Sequence, residues 1–285
     1  MPRGVYARKP KADRIQSQLD MIMKVQVAQP VETDAEIEAR LADRFEILAE
    51  MTDLAVEGDV RALVVSGPAG LGKSYTVESK LESWDPSGLN HSIVRGYVRA
   101  PGLYKLLYQH RSKGQVLVFD DADAIFFDDT ALNLLKAACD TTDRRMISYI
   151  TEGSLIDEET AERLPKSFQF DGTVVFITNL DFDAMIDRGH KIAPHLQAMV
   201  SRSHYIDLAM KTTRDYLIRI RQVVKQGLLM NVGLDDRGQD DVLQFIEANH
   251  AKLRELSLRM ALKLGAIRRK GGNWQRVARV TCLRG

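Results

Sequence analysis

The sequence predicts an α/β fold: a parallel sheet with flanking helices over residues 34–210, then a small all-helical C-terminal domain over 211–285. Three observations carry this expectation. Short apolar runs of strand character alternate with segments of helical spacing from Asp34 to Leu208, the pattern of a parallel sheet with crossover helices. Two of the runs, Val116–Phe119 and Val174–Thr178, have the look of strands buried on both faces. After Lys211 the strand-like runs stop, and breaks near Gly233, Asn249 and Gly271 divide a helical remainder.

Taken in order, residues 1–33 are polar, contain Pro2, Pro10 and Pro30, and read as a flexible basic arm. From Asp34 to about Val56, Ile37, Leu41, Phe45, Leu48, Ala49 and Leu54 recur at helical spacing, with Thr33 or Asp34 as N-cap and Gly58 as terminator. Ala62–Val65 is a strand, 66–72 a Gly/Pro-punctuated loop and 73–83 a helix. Ser92–Arg95 is a second strand, and Pro101 opens a helix over 101–110. Val116–Phe119 follows as a strand, then a helix at about 130–139. Two β-like pieces, Met146–Ile150 and Ser167–Phe170, lie in an insertion between Arg144 and Gly172. Val174–Thr178, a helical region over 182–200 and the strand His204–Leu208 complete the α/β part.

At 285 residues, 45% hydrophobic and 28% charged, the chain has room for a larger and a smaller domain. No apolar run approaches the ~18 residues of a membrane helix, and the N-terminus lacks the apolar core of a secretory signal. The expected location is the cytoplasm, with no membrane partner. Cys139 and Cys282 suggest neither a disulfide framework nor a metal cluster. The formal charge of +1 hides an asymmetry: ten Lys/Arg stand against one acid from Ala251 onward, and six against three over 1–33, so the middle is acidic. A basic end on an acidic body suits nucleic acid and a neighbouring subunit equally.

The segment Gly67-Pro68-Ala69-Gly70-Leu71-Gly72-Lys73-Ser74 fits G-x-x-x-x-G-K-[ST], with a strand before it and a helix after. Polyphosphate oxygens must be met closely by backbone N–H groups, so side chains there are small or absent. The helix that begins at Gly72–Lys73 directs its positive end at the same phosphates. Lys73 supplies a point charge to the β and γ phosphates, the Ser74 hydroxyl is a Mg²⁺ ligand, and Tyr75 completes the binding set. ATP and Mg²⁺ are the implied ligands. The strand Val116–Phe119 ends in two acids, Asp120 and Asp121. Ligands collect at the carboxyl ends of such strands. Asp120 is the expected magnesium carboxylate, and Asp121 the base that orients and deprotonates the attacking water.

With these motifs the sequence resembles the AAA+ ATPase family over about 40–270, and the size resembles stand-alone members from bacteriophages and mobile elements. The resemblance implies that Val174–Asn179 is the sensor-1 strand, with Asn179 on the γ-phosphate or lytic water. Ser201-Arg202-Ser203 is similar to a segment that supplies an arginine finger, Arg188 being the reserve. Leu256-Ser257-Leu258-Arg259 is similar to a sensor-2 motif, which would make 211–285 a lid and bring Arg259 to the nucleotide. The family usually carries Asp-Glu where this chain has Asp120-Asp121, so hydrolysis is expected but slow.

In ring-forming members the loop after the second strand faces the central pore. Here it reads Arg95-Gly96-Tyr97-Val98-Arg99, an aromatic grip flanked by arginines that suit a phosphate backbone. Arg144 and Arg145 look exposed at the base of the insertion. The resemblance implies a homo-oligomer, a hexameric ring. Three readings follow: a motor on DNA or nucleoprotein, associated with replication or helicase loading; a protein remodeller or unfoldase gripping through Tyr97; and a nucleotide-switched assembly factor with little turnover.

Overall fold

The structure, a computed structural model, describes residues 32–153, 155–157 and 161–285. The predicted arm falls outside the described residues as far as position 31. Helix α1 (Asp34–Glu57) starts at Thr33, whose side chain accepts from Glu36 N–H while Glu36 reaches back to the Thr33 N–H, and Gly58 ends it at φ 85°. Strand β1 (Ala62–Ser66) leads through the glycine-rich loop into α2 (Lys73–Trp84). Next come β2 (His91–Arg95), α3 (Ala100–Gln109), β3 (Val116–Asp120), a 3₁₀ turn over Asp123–Phe127 and α4 (Asp129–Ala138).

The insertion contains an antiparallel pair, β4 (Met146–Ser148) and β5 (Ser167–Gln169). Strand β6 (Thr173–Thr178) is followed by α5 (Phe182–Asp187), α6 (Ala193–Val200) and β7 (His204–Asp207). The single helical region expected over 182–200 is thus two helices. Gly189 at φ 63° interrupts it, and Pro194 sits in the first turn of the second piece.

The five-stranded sheet has the order β2-β3-β6-β1-β7 and every pairing in it is parallel. Alternating side chains of the central strands enter two cores. Ala62, Val64, Leu117, Phe119, Val174 and Phe176 pack on the side of α3, α4 and α6. Leu63, Val65, Val116, Val118, Val175 and Ile177 pack on the side of α1 and α2. Both faces of these strands are buried, so the runs have no polar alternation. This is the α/β fold class expected from the sequence.

The remainder is helical: α7 (Thr213–Lys225), a short 3₁₀ turn over Met230–Val232, α8 (Asp236–Asn249), α9 (Leu258–Arg269) and α10 (Trp274–Cys282). These helices bury a core of their own, with Ile220, Phe245, Leu264 and Trp274 among its members. Cys139 and Cys282 are both buried free thiols. Among the described residues no helix is long and apolar enough to cross a membrane.

Arg145 corrects a surface expectation. It is 5% exposed, donates to the carbonyls of Ala138 and Gly172 at 2.8 and 2.9 Å, and lies over the Phe170 ring. It clamps the base of the insertion from inside. Sequence alone showed two adjacent arginines; the packing of α4 against β4 decided which one turns inward.

Candidate nucleotide site

The carboxyl ends of β1, β3 and β6 lie side by side, so the residues that follow each strand converge. After β1, Gly67, Gly70 and Gly72 adopt φ of 153°, 75° and 100°, which an L side chain rarely tolerates. The turn they allow brings the chain straight into α2, whose first residue is Lys73. Lys73 is 4% exposed, and its ammonium donates to the carbonyls of Gly67 and Pro68 and to Asn179 Oδ1, the last at 2.9 Å. Burial pulls its pKa down to about 8, against the opposing pull of Asp121 and Asp120.

Ser74 Oγ donates to Asp120 Oδ1 at 2.8 Å, and Asp120 is itself 4% exposed. Asp121 stands at φ 54°, one of two described non-glycine residues at positive φ. Its N–H donates to the Ile177 carbonyl at 3.0 Å, and its Oδ1 accepts from Asn179 Nδ2 at 2.7 Å. Asn179 therefore joins Lys73 to Asp121 through the two ends of one amide. Behind this row Thr178 Oγ1 donates to Asp123 at 2.6 Å, and burial raises the Asp123 pKa.

The helical part closes the opposite side. The Leu258 N–H donates to the Gly70 carbonyl at 2.8 Å, and Ser257 caps α9 through the Met260 N–H at 3.1 Å. Arg259, exposed at the first turn of α9, lines the cleft and is near enough to Lys73 to lower its pKa further. The cleft encloses about 760 Å³ between the loop, α1, α7 and α9. Gly70, Gly72, Lys73, Ser74, Asp121 and Asn179 line its polar end; Ala69 and the exposed Tyr75 stand at its edge. Leu71 is buried beneath it.

Arg202 is elsewhere. It is half-buried at the end of α6, where it donates to the Ala198 carbonyl at 2.9 Å. Arg188 is exposed at the end of α5. Neither lines this chain's own cleft.

Two engaged arginines were missed in the sequence. Arg95, expected to flank an exposed loop, pairs in register with Asp120 across β2 and β3 and donates to Asp120 Oδ2 at 3.0 Å and to Glu78. The signal was its position at a strand end level with the acid, readable only once the strand order is known. Arg219 on α7 lines the cleft and stacks on Phe45 of α1, with its guanidinium carbon 3.4 Å from the ring centroid. Helical spacing marked Phe45 as core but said nothing of its neighbour. Tyr97 is 71% exposed beyond β2, with Arg99 5.8 Å over its ring, so it does not pack against a helix.

No protein-family model matches the chain. Among solved structures it resembles the RuvB Holliday junction branch migration motor of Thermotoga maritima, 18% identical with a TM-score of 0.42. It also resembles NtrX from Brucella abortus, crystallised with ATP, 13% identical with a TM-score of 0.46. The match covers 79% and 91% of this chain, which spans less than two thirds of those chains, 61% and 56%. A curated relative is much nearer: the "Uncharacterized 36.7 kDa protein in nrdC-mobD intergenic region" of Enterobacteria phage T4 is 37% identical over 257 residues. That match takes in 89% of this chain and 78% of the phage protein. The chain belongs to the same family as this phage T4 protein.

Proposed function

We propose that the chain is a Mg²⁺-dependent ATPase of the AAA+ kind, with residues 34–210 as its nucleotide domain and 211–285 as its lid. The observation that carries this reading is the row Lys73–Asn179–Asp121 set beside the Ser74–Asp120 pair. The fit to a nucleoside triphosphate rests on three features. Glycines at positive φ keep Cβ atoms out of the cradle, a buried ammonium stands at its floor, and the cleft volume suits a drug-sized ligand. The oxygen-only pair of Ser74 and Asp120 suits a hard divalent cation. Bound there, Mg²⁺ would neutralise phosphate charge.

The remaining roles fall to the chain's own groups. The backbone from Gly67 to Ser74 and the start of α2 bind the phosphates, and Lys73 leaves its carbonyl partners to meet them. Asp121 accepts the proton of the attacking water, which Asn179 holds in line through the same amide that contacts Lys73. Arg259 approaches from the lid. Arg202 acts on the site of the next subunit in a homo-oligomer, a hexameric ring.

The substrate reading favoured here is DNA or nucleoprotein, in a role linked to replication or helicase loading. The basic C-terminal region supports it. A second reading, a protein remodeller, is favoured by the exposure of Tyr97. Measuring ATP hydrolysis alone and with single-stranded DNA, duplex DNA and unfolded protein separates them. Stimulation by DNA supports the first reading and stimulation by unfolded protein the second. ATP binding with no turnover under any condition leaves a nucleotide-switched assembly factor, and absence of nucleotide binding refutes all three.

A further inference from the structure

Arg219 is a buried cation with no ion pair to a carboxylate among the described residues. It is 6% exposed, and its Nη1 donates to the amide oxygen of Gln222 at 2.7 Å. Its Nε is buried with no hydrogen-bond partner. Burial alone pulls its pKa down to about 10, with no acid opposing the shift. An uncompensated buried cation is costly, and such groups are normally paired.

Its surroundings point to what would pair with it. The guanidinium is held flat by the Phe45 ring. It lines the same cleft as Gly72, Lys73 and Ser74, and a Cβ built on Gly72 would lie 3.8 Å from Arg219 Nη2. Gly72 is the last glycine before α2, in the part of such a loop whose backbone cradles the α and β phosphates. Arg259 comes to the cleft from α9, whereas Arg219 comes from α7 on another wall.

We propose that Arg219 is a second nucleotide-binding arginine, which donates from α7 to the α and β phosphates while stacked on Phe45. This rests on the nucleotide reading above and adds to it. Because the contact is to phosphates that ADP retains, α7 and α1 stay joined to the ligand after the γ-phosphate has gone. The lid would then grip ADP about as firmly as ATP through this residue.

The test is displacement of a fluorescent ADP analogue by ADP, ATP and inorganic pyrophosphate, using the full chain with Arg219→Met and Arg219→Gln. Loss of a charged hydrogen bond predicts weakening by roughly 10- to 100-fold, equal for ADP and ATP and shared by pyrophosphate. Without nucleotide the methionine variant should melt no lower than the wild type, since an unpaired charge has become apolar surface on Phe45. If methionine prevents folding, glutamine gives the same comparison. Unchanged ADP affinity overturns the inference. So does weakened ADP with unchanged pyrophosphate, which would move the contact to the base or ribose. Wild-type protein that binds none of the three overturns the nucleotide reading as well, whereas normal wild-type binding with unaffected variants sinks only the role of Arg219.

Discussion

Gly70→Ala tests how the loop and the helical region are joined. Gly70 has φ 75°, and a Cβ there would lie 2.7 Å from Ser257 Cβ, 3.3 Å from Ser257 Oγ and 3.8 Å from Arg259 Cγ. An alanine in the left-handed region costs about 1 kcal/mol, and forcing a methyl into a filled space costs about 1–3 kcal/mol more. Ser257 is buried and begins α9, so it cannot rotate away. The cheaper response is for the start of α9 to withdraw, which gives up the Leu258–Gly70 hydrogen bond, worth about 1 kcal/mol. The expected loss is therefore about 2–3 kcal/mol, or roughly 3–5 °C in melting temperature for a chain of this size. Arg259 moves with α9, so ATP affinity should fall too. The assay is a double-mutant cycle with Ser257→Gly, which removes the clashing Cβ and by itself costs only a few tenths of a kcal/mol at an N-cap. The pair should recover at least about 1 kcal/mol over additivity. Additive effects, or a Gly70→Ala protein as stable as the wild type, would refute the docking argument.

Other predictions follow from the site. The Lys73 pKa of about 8 lies below its ordinary 10.5, so the unfolded chain holds more protons between these values and this group's contribution to apo stability rises with pH across that window. Nucleotide affinity should run the other way, falling by up to about tenfold per pH unit above 8 as the ammonium must be re-protonated. Lys73→Ala should bind nucleotide too weakly to detect, and a fluorescent ATP analogue bound by it at wild-type affinity would contradict the loop's role. Asp121→Asn should trap ATP by removing the base, while Asp121→Glu should hydrolyse faster if the missing methylene limits the rate; misplacement by ~1 Å can cost on the order of 10²-fold. An unchanged or lower rate in the Glu variant would mean that the backbone at φ 54° already positions the carboxylate. Arg202→Ala should bind ATP normally and turn it over poorly, with wild-type specific activity rising with protein concentration. A rate per subunit independent of concentration, with no rescue on mixing Arg202→Ala and Lys73→Ala, would remove the trans-acting arginine.

Features with local causes were legible in the residues alone. The glycines of 67–72 impose their turn because only glycine takes those φ values without strain, and Thr33 and Glu36 cap α1 within four residues. The strands Val116–Asp120 and Thr173–Thr178 were visible because burial on both faces removes polar positions. Helix breaks at Gly233, Asn249 and Gly271 were visible for similar local reasons.

Tertiary structure decided the contacts that join distant segments. The adjacency of β2 to β3 put Arg95 on Asp120 rather than on a free loop. The placement of β3 beside β6 brought Asn179 between Lys73 and Asp121. The packing of α7 on α1 buried Arg219 against Phe45, and that of α4 on β4 turned Arg145 inward. A long cationic side chain can lie in water or over an aromatic face with equal ease as far as its own helix is concerned. Which it does depends on a surface supplied from elsewhere in the chain, and neither spacing nor composition carries that information.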